Sequence, residues 1–287
     1  MEIEKEMVAD YECRCGENPL WHPMEKRVYW TDITTGRLFR FDPSTGEHEK
    51  FYEGDVVGGF TVQKNGDLLL FMDRGAVKVW REGELIPVID EVPEERDSRF
   101  NDVIADPEGR VFCGTMSTPG RAGSLYRLDR DGTLTKILGE VGCSNGMGFV
   151  PGLGRMYHTD SNVQEIMIYD YDRSTGELSS GELFLKLPEE GGNPDGMTVD
   201  SEGYVWSAIW DGGRLARYSP VGEEVLSIPF PARKVSSAIF GGEGLEEIYV
   251  TTAGGEKKEV EGQGAGGLFR LRTGHTGVPE FFSRIGI

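Results

Sequence analysis

Six positions in this chain, Glu17, Gly59, Asn101, Asn145, Asp195 and Ser237, recur at intervals of 42, 42, 44, 50 and 42 residues. Each opens a similar stretch: a short apolar segment, an Asp/Gly turn, a second apolar segment rich in Tyr, Phe, Trp or Val, and a hairpin. The copies are visible in VYWTDITTGRLFRFDPSTGE from Val28, LLLFMDRGAVKVWREGE from Leu68 and VFCGTMSTPGRAGSLYRLDRDGT from Val111. They continue in MYHTDSNVQEIMIYDYDRSTGE from Met156, VWSAIWDGGRLARYSPVGE from Val205 and IYVTTAGGEKKEVEGQGAGGLFRLRTG from Ile248. Six units of this length, each reading as about four short strands, fit a propeller better than any helical repeat.

A chain that turns every few residues needs glycine, and 41 of the 287 residues are glycine. Asn65-Gly66, Glu108-Gly109, Asp131-Gly132 and Glu202-Gly203 fall between strand-like runs and are predicted hairpin turns. No window of the chain carries a convincing helical period, which excludes an α/β fold. The expectation is therefore an all-β, six-bladed β-propeller of four-stranded antiparallel sheets, forming a single domain over residues 1–287 around a central channel, which the anchor residues and the resemblance below make a metal-binding one. Residues 1–12 and the PEFFSRIGI tail are expected to supply strands to the same terminal sheet, closing the ring and protecting its edges.

A formal net charge of -19 argues against nucleic acid, because phosphate backbones require clustered Lys and Arg. No apolar run approaches a membrane span, and MEIEKEMVADYE lacks the parts of a signal peptide. With only Cys13, Cys15, Cys113 and Cys143, a disulfide framework is not expected, and the default location is the reducing cytoplasm. Cys13-x-Cys15 has no second thiolate pair nearby to complete a soft-metal site.

The anchors sit in CRCGENPLW, SRFNDV, CSNGMGF and NPDGMTV. Asn-Gly and Asp-Gly are turn signals in isolation. Their shared phase around one axis favours a different reading: several carboxylate and amide oxygens meeting there find a partner most economically in a metal ion.

These segments, together with DPEGRVFCGTM, GSLYRLD, PDGMTVDSEGYVW, GGRLARYSP and FGGEGLEEIYVTTA, resemble the gluconolactonase and regucalcin (senescence marker protein) family from about Cys13 to Arg270. The resemblance implies a six-bladed propeller with one divalent metal ion, and a hydrolase that opens a sugar lactone. It implies Glu17, Asn145 and Asp195 as metal ligands, Asp195 also as general base, and Arg99 and Asn101 as substrate-binding residues. An all-oxygen set of this kind favours Ca²⁺, Mg²⁺ or Mn²⁺, with Zn²⁺ or Fe²⁺ as alternatives. The implied partner is a small-molecule sugar lactone, with no nucleic acid and no membrane. A phosphotriesterase-like hydrolase on the same site and a non-catalytic calcium-binding propeller are the competing readings.

One departure from the family pattern concerns the loop after GTM. In the animal branch it is longer and carries an acidic residue that helps hold substrate, whereas here it is STPGRAG with Arg121. Other motifs have bland readings. Gly142-Cys143-Ser144-Asn145-Gly146 satisfies G-x-S-x-G, with Asp195 and His275 following in order, but a nucleophile elbow needs a helix after it. Gly262, Gly264 and Gly267 fit G-x-G-x-x-G in a flexible loop, and Asp129-x-Asp131-Gly132 is a hairpin turn. His158 either faces the channel or packs inside an inner strand. Asp160 and Asn162 are candidate supports for the metal ligands, and Arg99 has Glu94, Glu95 and Asp97 nearby as possible ion-pair partners.

Overall fold

Each of the six sequence copies becomes a four-stranded antiparallel sheet in the structure, a computed structural model that describes residues 3–286. The innermost strands are Gly16–His22, Val57–Val62, Phe100–Ala105, Ser144–Phe149, Asn193–Val199 and Val235–Gly241, which begin blades 1 to 6. Each innermost strand packs against the next, and that of blade 6 packs against that of blade 1, so the ring closes. The two inner strands of a blade are buried on both faces, as in Gly16–His22 and Leu68–Met72. They therefore read as continuous apolar runs without strict alternation. Outer strands such as His48–Glu53 are largely exposed.

The apolar side chains form clusters between adjacent blades. Phe71, Val77 and Val79 of blade 2 meet Phe100, Val103, Val111 and Leu128 of blade 3. Trp30, Phe39 and Val28 of blade 1 meet Ile239, Tyr249 and Leu268 of blade 6. The glycines at 66, 109, 132 and 203 all have positive φ, as tight hairpin turns require. Helix is confined, among the described residues, to one α-helical turn at Lys258–Glu261 and several 3-10 turns. The glycine-rich loop after that turn is tied down by hydrogen bonds from Gly264 N to Pro231 O and from Cys13 N to Gly266 O, 2.7 and 3.1 Å. This contrasts with the flexibility expected from its composition.

The closure of the ring differs from expectation in one half. Lys5–Asp10 does pair antiparallel with Gly267–Leu271 as the outer strand of blade 6. The C-terminal tail does not join that sheet. With Lys5–Asp10 already in the outer position, the tail crosses to the opposite side of the ring. There Ser283 bridges Gln63 in parallel, Arg284 N donates to Gly109 O and Gly286 N donates to Arg130 O, both at 2.8 Å. Ile285 enters the cluster between blades 2 and 3, and Phe281 and Phe282 pack against neighbouring clusters. Burial of these apolar groups supplies the reason for that path.

Candidate metal and substrate site

All six recurring positions lie in innermost strands, and each strand carries an extra residue at or beside its anchor. The register shifts between Glu17 and Leu20, Val57 and Gly59, Phe100 and Val103, Asn145 and Met147, Pro194 and Met197, and Val235 and Ser237. A bulge re-aims a side chain that the regular pleat would bury between blades. The glycines beside the anchors, whose Asn-Gly and Asp-Gly pairs would be turn signals in isolation, lie within these strands. A Cβ on Gly146 would meet Asp195 O at 2.4 Å, and one on Gly196 would meet Ser237 Oγ at 2.1 Å. They let neighbouring inner strands approach the axis.

Glu17, Asn145 and Asp195 are all buried, at 9%, 6% and 4% exposure. Asn145 Nδ2 donates to Asp195 Oδ1 across the junction of blades 4 and 5, and also to Ser161 Oγ at 3.0 Å. Ser161 in turn donates to Pro194 O at 2.7 Å. This chain fixes the Asn145 amide so that its carbonyl oxygen accepts no hydrogen bond among the described residues. Asp195 is pushed well above the usual carboxylate range, first by burial and then by the negative charges of Glu17 and Asp102. Burial and Asp102 likewise push Glu17 up to about 8, against the lowering effects of Asn18 N and Arg99. Mutually repelling buried carboxylates beside an uncommitted amide oxygen fit a hard divalent cation, whose charge would offset their desolvation.

A pH dependence follows. A carboxyl whose pKa is raised by folding stabilises the metal-free protein below its unfolded value of 4.5, and that contribution is lost as the pH rises through about 8. The melting temperature of chelator-treated protein is therefore expected to fall across this window, and Glu17→Gln to flatten the slope. A wild-type profile that is level or rising there would contradict the repulsion.

Arg99 makes no ion pair among the described residues. Its guanidinium donates to Phe100 O at 2.9 Å and to Asn101 Oδ1 at 2.7 Å. Two of its three candidate surface partners are engaged elsewhere, because Arg121 bonds both oxygens of the fully buried Glu95, at 3.1 and 3.0 Å, and reaches Asp97 at 3.2 Å. Arg121 thus pins the 117–123 loop to the segment that leads into Arg99. Asn101 donates to Ser144 O at 2.9 Å and joins blades 3 and 4.

His158 is not in the channel. It is 2% exposed, its Nε2 lies 2.8 Å from Ser144 Oγ, and burial lowers its pKa to about 4. Ser144 is itself fully buried against Gly114, out of reach of a substrate, so the G-x-S-x-G motif forms no nucleophile elbow. Asp160 supports the site through backbone, accepting from Gly142 N at 2.7 Å and Cys143 N at 3.0 Å. Asn162 faces Ser117 instead, at 3.4 Å.

Three participants escaped the sequence reading. Ser161 orients Asn145, and its adjacency to Asp160 was the available signal. Asp102, raised to about 6 by burial, adds a third carboxylate whose charge reaches both Glu17 and Asp195. Asn18 adopts φ 47 and accepts from Phe60 N, filling the space that Gly59 leaves in blade 2. A separate group, Asp200, Glu202 and His275, has metal-ligand spacing within 4.8 Å. Arg217 already neutralises it, at 2.7 Å from Asp200 and 2.6 Å from Glu202, and Trp206 Nε1 donates to Asp200 at 2.9 Å.

Among the described residues, no helix is long and apolar enough to cross a membrane. The family described as SMP-30/Gluconolactonase/LRE-like region matches residues 15–254. Pentonolactonase XacC of Haloferax volcanii is 48% identical over 288 residues, covering 97% of each chain. Human regucalcin is 31% identical over 284 residues, covering 94% of each. Among solved structures, a calcium-binding protein, regucalcin, from Agrobacterium tumefaciens superposes with a TM-score of 0.92 at 22% identity, over 99% of this chain and 98% of that one. In fold, in the length matched and in sequence, this chain belongs to the SMP-30/gluconolactonase/LRE-like family.

Proposed function

We propose that this protein is a metal-dependent hydrolase that opens a sugar lactone, working as one propeller domain in a reducing, cytoplasmic setting. What supports this reading is the hydrogen-bonded pair of Asn145 and Asp195, the buried Glu17 whose charge acts on Asp195, and an Arg99 that forms no salt bridge among the described residues. The likeness to a pentonolactonase over 97% of both chains supports a five-carbon or related aldonolactone as substrate.

Glu17, the free oxygen of Asn145 and Asp195 would hold one divalent ion, with Ca²⁺, Mg²⁺ or Mn²⁺ favoured by the all-oxygen set. When bound, the ion supplies Lewis acidity that polarises the lactone carbonyl and acidifies adjacent water. Asp195 would accept the proton of the attacking water as general base. Arg99 presents a planar fork of donors to the ring and hydroxyl oxygens, and Asn101 Oδ1 keeps a second lone pair for a hydroxyl.

The test is acid release from a panel of five- and six-membered sugar lactones, with and without chelator, for wild type and Asp195→Ala. Metal-dependent hydrolysis by wild type alone supports the proposal. No rate above background on any lactone, with metal still bound, moves the protein to the non-catalytic class. Arg99→Ala is expected to raise KM about tenfold to a hundredfold, the value of a charge-assisted hydrogen bond, with kcat little changed. Unchanged substrate affinity in that variant would remove Arg99 from the site.

A further inference from the structure

The ring places a second tier of side chains one step toward the strand starts from the metal-site tier. Two residues before the anchors stand Cys15, Val57, Arg99, Cys143, Asn193 and Val235. The backbone repeats at this level: Ile33 N donates to Cys15 O at 3.0 Å, Met116 N to Arg99 O at 3.4 Å and Ser161 N to Cys143 O at 3.1 Å. In blade 5, Asn193 is paired with Trp210 at the corresponding place. The bulges of blades 3 and 5 also agree in position, the extra residue following Phe100 in one and Pro194 in the other. Arg99 and Asn193 therefore hold the same offset before their bulges and occupy equivalent places in blades 3 and 5.

Of the six residues in this tier, four are apolar or thiol. A thiol is only a weak hydrogen-bond donor and acceptor. Only Arg99 and Asn193 offer strong polar groups. Asn193 is half-buried, and its amide has no hydrogen-bond partner among the described residues, nor is it among the fully enclosed orphan atoms. An amide left open at the rim of a buried carboxylate site both donates and accepts, which matches a hydroxyl and adds no charge to the carboxylates beneath.

We propose that Asn193 is a substrate-specificity residue that, from blade 5, binds a hydroxyl of the lactone ring, while Arg99 holds the substrate from blade 3. This inference rests on the lactonase reading above. It makes the site selective for lactones hydroxylated on both flanks of the ring.

The experiment compares wild type, Asn193→Ala and Asn193→Leu on a pentono-1,4-lactone and on its deoxy analogues, each lacking one hydroxyl. KM and kcat are read for every pair, with Ki by competition for analogues that turn over slowly, and metal affinity is measured on each variant to establish an intact site. Asn193→Ala is expected to raise KM for the parent lactone about five- to tenfold, the worth of one neutral hydrogen bond, with kcat and metal affinity unchanged. One deoxy analogue should bind wild type and variant alike. Equal losses on every analogue, or no loss on the parent lactone, overturns the assignment while leaving the lactonase reading standing. A wild type that hydrolyses no lactone overturns both.

Discussion

Asp195→Asn is expected to lower lactone turnover by about a thousandfold or more, combining the loss of the proposed general base with the loss of the charge of a proposed metal ligand. The substitution preserves shape, so Asn145 Nδ2 can still meet an oxygen at position 195, and the bulge after Pro194 is unaffected. What disappears is the negative charge and the proton acceptor. The contrast with Glu17→Gln separates these two contributions. Both variants should bind a divalent ion more weakly in calorimetry, because each removes one of the two carboxylates in the proposed ligand set. If Glu17 serves only to hold the ion, saturating metal restores much of the turnover of Glu17→Gln. Excess metal cannot restore a missing base, so Asp195→Asn stays inactive under the same conditions. Recovery of Asp195→Asn by metal would assign the base elsewhere, with Asp102, a carboxylate outside the proposed ligand set whose charge acts on Asp195, as the next candidate.

The largest effect on stability is expected at Gly58. A Cβ there would lie 1.9 Å from Phe100 O and 2.6 Å from Phe100 C, in the backbone of the adjacent inner strand. No rotamer relieves a clash with backbone, so Gly58→Ala must push blades 2 and 3 apart at the axis, where Phe100 packs with Phe71. The cost is on the order of 3 kcal/mol, the upper end for overpacking, and should appear as a lower melting temperature. Gly139→Ala is the control, since nothing lies within 4 Å of its Cβ and its φ is not positive. That change should be neutral or slightly stabilising. Equal behaviour of the two variants would mean that the inner strands yield more readily than their packing implies.

The number of blades, the strand count in each and the role of the hairpin glycines were all readable from local pattern, because turn chemistry and repeat length act within one unit of sequence. The N-terminal strand at Lys5–Asp10 was foreseen for a similar reason, as a ring of complete sheets needs its edge covered. The C-terminal tail was misread. Strand addition and burial of Phe281, Phe282 and Ile285 across the far side of the ring are equally compatible with PEFFSRIGI, and only the occupied edge of blade 6 decides between them. His158 was ambiguous because the sequence alone does not say whether its side chain reaches the channel or packs against the neighbouring strand. Its pairing with Ser144 resolves that ambiguity.

In the candidate site, phase alone brought Glu17, Asn101, Asn145 and Asp195 to one level of one ring, because equal spacing along a closed repeat means equal position around its axis. Phase says nothing about which oxygen of an amide is free, which arginine is already spent on a carboxylate, or how strongly buried charges repel. Those properties arise between blades, from Ser161 holding Asn145, from Arg121 occupying Glu95 in place of Arg99, and from Asp102 acting on Glu17 and Asp195. Such contacts join residues tens of positions apart, and their strength depends on burial that no local segment of the chain possesses before the ring has closed.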